Sequence, residues 1–173
     1  MFEILDSIDM PYNHPRLGFP KYRGYLLGTS KGRFGRSKEG LSRLTKKYSD
    51  QWEQIKEWAF ENVPVDVEWN CIQVNKNLVC PPHRDKHNVG NSYIVSFGDY
   101  VGCDLVVDGV THDTRKGLVF DGYLKEHYNT PLISGTKYSL VFFNNGLRHF
   151  SEFEFIEESA HGKSFELTQQ QVC

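Results

Sequence analysis

From Val65 onward the chain is interrupted every few residues by glycine or by a turn-forming pair, and this punctuation restricts it to short strands. The apolar runs at 67–74, 92–97, 104–107, 117–120 and 138–143 are long enough for strands and too short for packed helices. Between them, Gly98-Asp99-Tyr100-Val101-Gly102 reads as a turn and Asp108-Gly109 as a tight hairpin connection. A last strand is expected over 153–156. Short strands joined this way bury their apolar faces as an antiparallel sandwich or jelly roll. The aromatic content of 14% and the 15 glycines agree with a mainly β chain.

The N-terminal part differs. Residues 1–37 hold Pro11, Pro15 and Pro20 with five glycines, which predicts loops and short strands, one at 22–27. Over 38–61, Leu41, Leu44, Tyr48, Trp52, Ile55, Trp58 and Ala59 recur at spacings of three and four, the period of helices packed on a sheet. Asp50 with Glu53 forms a capping-box pattern for the second of two helices, and Pro64 ends the stretch. The fold class read here is therefore mainly β with N-terminal helices (α+β), arranged as one domain over 1–173. Within it, 1–64 is a basic and helical support region, 65–157 a jelly-roll core and 158–173 a tail.

Charge is unevenly placed. Ten lysines and arginines fall between Arg16 and Lys47 against one acid, Glu39, leaving ten basic and twenty-one acidic residues elsewhere. A basic segment on an acidic body suits a polyanion such as DNA, because lysine and arginine displace counterions from phosphates; a solvated surface is the alternative. Cys71, Cys80, Cys103 and Cys173 form neither a CxxC pair nor a disulfide-dense pattern. With no apolar run long enough to span a bilayer and no basic leader at Met1–Asp6, the expectation is an intracellular protein, cytoplasmic or nuclear, without membrane contact.

Chemistry concentrates at Pro81-Pro82-His83-Arg84-Asp85-Lys86-His87-Asn88. On extended backbone His83 and Asp85 point to the same side and can reach one cation. Two histidines and one carboxylate on one octahedral face hold Fe(II) and leave the other face open for co-substrate and O2. His127, forty-two residues after Asp85, is the choice for the second histidine, with His112 as competitor. The stretch after His127 decides between them. Lys137 and Ser139 alternate onto one strand face, a cation and a hydroxyl suited to the far carboxylate of a metal-chelated dicarboxylate. His83 and His87 also stand at the i, i+4 spacing of a zinc helix, but the segment lacks helical periodicity and Gly90 follows at once.

Two blocks resemble the 2-oxoglutarate and Fe(II) dependent dioxygenases, and within them the Tet/JBP group that oxidises 5-methylpyrimidines in nucleic acid. The first is His83-Arg84-Asp85-Lys86-His87-Asn88 with Gly90-Asn91-Ser92. The second runs from His127 through Thr130-Pro131-Leu132 to Lys137-Tyr138-Ser139-Leu140-Val141-Phe142. Between them, residues 98–105 look like the superfamily's Gly-Gly-x-Leu strand, with Cys103 at the second glycine. The resemblance covers about residues 70–145. It implies a double-stranded β-helix, iron on His83, Asp85 and His127, and 2-oxoglutarate on Lys137 and Ser139. It further implies that Asn88 contacts the pyrimidine edge, and that His87, Phe143 and Asn145 lie on the substrate side. The group's Tet members carry arginine where Lys137 stands and histidine near Asn145, and have a cysteine-rich zinc region that this chain lacks. A base flipped from a duplex would have its stacking replaced by Phe143, Phe142 or Tyr93. Two other readings stand beside this one: hydroxylation of a peptide side chain or of a free nucleobase or nucleoside, and an inactive binding module with the same fold.

Overall fold

A six-stranded antiparallel sheet carries the molecule. It is built from β1 (Arg23–Lys31), β2 (Glu39–Leu41), β3 (Cys71–Lys76), β4 (Val89–Phe97), β8 (Leu118–Phe120) and β11 (Tyr138–Asn144), in the order β2-β1-β3-β11-β4-β8. The computed structural model describes residues 1–12, 22–31 and 38–154. Opposite the large sheet lie two small ones. One pairs β5 (Tyr100–Gly102) with β10 (Leu132–Gly135); the other joins β6 (Leu105–Val107), β7 (Val110–His112) and β9 (His127–Asn129) in the order β7-β6-β9. The result is the expected jelly roll. Asp108 and Gly109 turn the β6–β7 hairpin with φ of 47° and 81°, the double left-handed geometry that an Asp-Gly pair supplies.

Alternation sorts each central strand onto two faces. Tyr138, Leu140 and Phe142 of β11, with Ile72 and Val74 of β3 and Tyr93 and Val95 of β4, point outward into the main core. That core is closed by helix α3 (Ser49–Asn62) through Trp52, Ile55 and Ala59, with the Trp58 ring stacked on Phe142 at 6.2 Å. On the inward face Ile94, Phe120, Leu118 and Val141 meet Leu105 and Val107 of the small sheet in a second apolar cluster. The remaining inward positions are polar and form the floor of the candidate site.

Several local expectations are corrected. Residues 2–6 form helix α1 (Phe2–Asp6) where loops and short strands were expected, because Leu5, Ile8 and Met10 bury against the main core. Residues 39–41, inside the expected helical stretch, pair with 29–31 as β2, so helix begins at α2 (Arg43–Lys47). The Asp50–Glu53 capping box is not formed: Tyr48 caps α3 without a side-chain bond, and the Glu53 carboxylate accepts from Lys56 at 2.9 Å instead. The side chain that does cap is Ser42, accepting from the Thr45 amide at 3.0 Å. Residues 100–102, read as part of a turn, pair as β5. The strand expected at 153–156 is helical over 151–154, where Phe153 is buried and Glu154 accepts from the Trp52 indole at 2.8 Å; residues 155–156 and the tail lie outside the described residues. No helix among the described residues is long and apolar enough to cross a membrane.

Candidate metal centre

After β3 the chain runs back along the small-sheet layer before entering β4. Cys80 pairs with Asn129, and His83 pairs with His127 through reciprocal backbone bonds of 3.0 and 2.9 Å. The Asp85 amide then donates to the Gly122 carbonyl at 2.8 Å. This ladder brings residues forty-four apart in sequence face to face. Ligand atoms of His83, Asp85 and His127 lie within 4.8 Å of one another, and each histidine Nε2 is 3.8 Å from one Asp85 oxygen. Both imidazoles are oriented alike: Nδ1 of His83 faces the Pro81 carbonyl at 2.8 Å and Nδ1 of His127 faces the Lys125 carbonyl at 3.0 Å. A carbonyl accepts only, so each Nδ1 carries the hydrogen and each Nε2 turns its lone pair to the shared point. Burial lowers the His127 pKa, which favours this neutral form. Three such donors can hold a cation with positions to spare.

Two further groups fix the carboxylate. Asn88 donates its amide hydrogens to Asp85 Oδ2 at 2.9 Å and to Ser92 Oγ at 3.2 Å. Gly122 packs so closely that a methyl group at this position would overlap Asp85 Oδ2. Gly122→Ala is therefore expected to leave the fold intact while displacing the carboxylate and weakening iron binding about tenfold or more, measured by metal titration.

The inward polar floor extends from this point. Ser139 of β11 is flanked in register by Asn75 of β3 and Ser96 of β4, a polar row across three strands. At its end stands Lys137, 3% exposed, whose Nζ donates to the Cys103 carbonyl and lies 5.2 Å from the centre of the Tyr100 ring. Burial holds this ammonium below the usual lysine range, and among the described residues no carboxylate lies within 4.0 Å of it. Beside it the buried Tyr100 hydroxyl lies next to the Ser96–Thr114 hydroxyl pair, and burial raises its pKa. A buried ammonium with only the more distant Asp104 charge to balance it, bordered by hydroxyls, fits the distal carboxylate of a dicarboxylate. The donor set and this pocket thus fit Fe(II) and 2-oxoglutarate respectively. Cys103, at the second glycine of the Gly-Gly-x-Leu pattern, has the left-handed φ of 56° that a glycine there would favour. Its neighbour Cys80 has a thiol pushed up to about 12 by burial, with Asp85 and Cys103 adding to the shift, so it is protonated at neutral pH.

Other sequence candidates separate. His112 sits in β7 opposite Leu105, away from the trio; His87 is exposed. Phe143 takes an inward, half-buried position, whereas Phe142 and Tyr93 face the main core and cannot reach a base at the metal. Asn145 is engaged internally, accepting from Asn70 at 2.9 Å and donating to the Thr29 carbonyl at 3.0 Å. Gly122 and Tyr100 escaped the sequence reading. An Asp-Gly pair shortly before His127 was the only signal for the first, and nothing local marks the second.

No family model matches the sequence, and neither does any curated protein. Solved structures do. NgTET1 in complex with 5mC DNA is similar with a TM-score of 0.55 at 14% identity, over 71% of this chain and 61% of that one. A 2OG-Fe(II) oxygenase family oxidoreductase from Burkholderia pseudomallei is similar with a TM-score of 0.56 at 11% identity, over 82% and 75%. The chain spans about three fifths of the first structure's length. Together with the jelly-roll topology, these likenesses give the chain the Tet-like fold of the 2-oxoglutarate and Fe(II) oxygenases.

Proposed function

We propose that this protein is an Fe(II) and 2-oxoglutarate dependent dioxygenase that oxidises the methyl group of a 5-methylpyrimidine, 5-methylcytosine or thymine, in nucleic acid. The observation that carries the chemistry is the convergence of His83, Asp85 and His127 on one point, with Lys137 buried on the same inward floor and, among the described residues, outside ion-pair distance of any carboxylate. Bound iron and 2-oxoglutarate supply an oxidant that turns a C–H bond into C–OH, while O2 is consumed and succinate and carbon dioxide leave. The chain's own part is orientation. The Pro81 and Lys125 carbonyls hold the imidazoles with Nε2 outward, Asn88 and Gly122 fix the Asp85 carboxylate, and Lys137, Ser139 and Tyr100 receive the distal carboxylate of 2-oxoglutarate.

Support for a nucleic-acid substrate comes from where the charges sit. Of the basic segment, Arg23, Lys31, Lys38, Arg43, Lys46 and Lys47 are described; Arg16, Lys21, Arg33 and Arg36 lie outside the described residues. Strand registers put Lys31 at the same end of the large sheet as Phe143, Val89 and Phe120, the end at which Asp85 meets Gly122. One structural neighbour is itself bound to 5mC DNA. Hydroxylation of a peptide side chain or a free nucleobase or nucleoside is the second reading. It draws on the amides of Asn88 and Asn145, which are turned to internal partners and not to a base edge.

A panel of methylated DNA, unmodified DNA, RNA, nucleosides and peptides, incubated with Fe(II), 2-oxoglutarate and O2 and analysed by mass spectrometry, separates these readings. Gain of one oxygen on methylated DNA is the expected result. Gain on a peptide or free nucleoside with none on DNA would replace the nucleic-acid assignment and keep the reaction.

A further inference from the structure

The turn over 121–126 joins both halves of the metal centre. Its Gly122 carbonyl accepts from the Asp85 amide at 2.8 Å, and its Lys125 carbonyl faces His127 Nδ1 at 3.0 Å. It is also rigid: Asp121 Oδ1 accepts from the amides of Tyr123 and Leu124, both at 3.0 Å, and the Asp121 carbonyl accepts from Lys125 at 3.0 Å. Yet the two side chains held by this network are apolar and adjacent, and they face solvent, Tyr123 55% and Leu124 64% exposed. Among the described residues neither packs into a core cluster, which leaves two adjacent apolar side chains displayed on a turn that contacts the metal centre through its backbone.

The turn follows β8, at one edge of the large sheet, while Lys31 and Lys38 flank the β1–β2 pair at the other edge of the same sheet end. Five strand spacings separate those edges, about 24 Å. Phosphates on one strand of a duplex repeat about every 3.4 Å along the axis, so this width spans roughly seven nucleotides. A polyanion anchored at the basic edge is thus long enough to extend to the 121–126 turn beside the metal centre.

We propose that Tyr123 and Leu124 form the substrate-side clamp of the metal centre, packing against the nucleobase that neighbours the one being oxidised. This rests on the nucleic-acid reading above. An aromatic ring offers every base a stacking face, and a leucine wedged at a base step fills the gap that opens when the target base leaves the stack. The clamp takes the part that Phe142 and Tyr93, turned into the main core, cannot play.

The test compares wild type, the Tyr123→Ala/Leu124→Ala double variant and Tyr123→Phe on a methylated oligonucleotide duplex and on the free 5-methyl nucleoside. Anaerobic formation of the coloured iron–2-oxoglutarate complex serves as the check that each variant keeps its metal centre. The double variant is expected to lose at least about tenfold of the preference for duplex over nucleoside, and Tyr123→Phe to retain it. An unchanged preference in the double variant, or equal losses on both substrates, overturns the clamp. A wild type that oxidises nucleosides or peptides but no oligonucleotide overturns the nucleic-acid reading, and the clamp with it.

Discussion

Asp85→Ala is expected to abolish the iron-dependent conversion of 2-oxoglutarate to succinate, lowering it by at least about a thousandfold, since a metal-supplied contribution of several kcal/mol is lost. Asp85 is the only carboxylate of the trio and the point to which both imidazole Nε2 atoms are directed, each 3.8 Å from one of its oxygens. Its removal takes away the anionic ligand and also leaves the Asn88 amide without one of its two acceptors. His127→Ala is expected to match it, and His112→Ala to have no effect on iron binding, because His112 lies on β7, paired with Leu105 of β6, outside the cluster. Loss of iron in His112→Ala with retention in His127→Ala would reverse the assignment. Iron content after metal loading and succinate release, measured on the same samples, distinguish a lost ligand from a lost fold.

Lys137→Met is expected to change two quantities in opposite directions. Among the described residues, Lys137 is a buried ammonium that donates to one carbonyl and has only Asp104, beyond ion-pair distance, as a nearby carboxylate, an arrangement that burial makes costly. Replacing it with an apolar chain of similar length should leave the apoprotein equally stable or raise its Tm. On the proposed reading, the same change removes the charge partner of the distal carboxylate of 2-oxoglutarate. A desolvated charge pair broken on one side costs about 2–5 kcal/mol, so the KM for 2-oxoglutarate should rise roughly thirtyfold or more. Stabilisation of the wild type by added 2-oxoglutarate should also disappear from the variant. A lysine serving only the fold would give the reverse: a lower apoprotein Tm and an unchanged KM.

The parts of the architecture visible in the sequence are those carried by local period. Alternation over 92–97 and 138–143 identified β4 and β11, and it placed Lys137 and Ser139 on the face that is inward in the structure. The three- and four-residue spacing of Trp52, Ile55 and Ala59 marked the buried stripe of α3. What local pattern missed was decided by distant partners. Residues 39–41 became a strand because 29–31 of β1 offered an edge. Residues 151–154 became helical where a final strand was expected, with Phe153 buried and Glu154 beside Trp52. At the site, the spacing of His83 and Asp85 and the residues after His127 pointed to the trio. The tasks of Asn88 and Asn145 depended on which neighbours folding would bring to their amides, Asp85 and Ser92 for one, Asn70 and Thr29 for the other. Tyr100 gained its place beside Lys137 only when β5 paired with β10.

Anaerobic titration of Fe(II) into the purified protein, with and without 2-oxoglutarate, tests the central assignment most directly and requires no knowledge of the oxidised substrate. A 2-oxo acid chelated to ferrous iron absorbs visible light by charge transfer from metal to ligand. The expected result is a band that appears only when both are present, saturates near one iron per chain, vanishes in Asp85→Ala and needs far more 2-oxoglutarate in Lys137→Met. No band in the wild type, or an undiminished band in Asp85→Ala, would contradict the account.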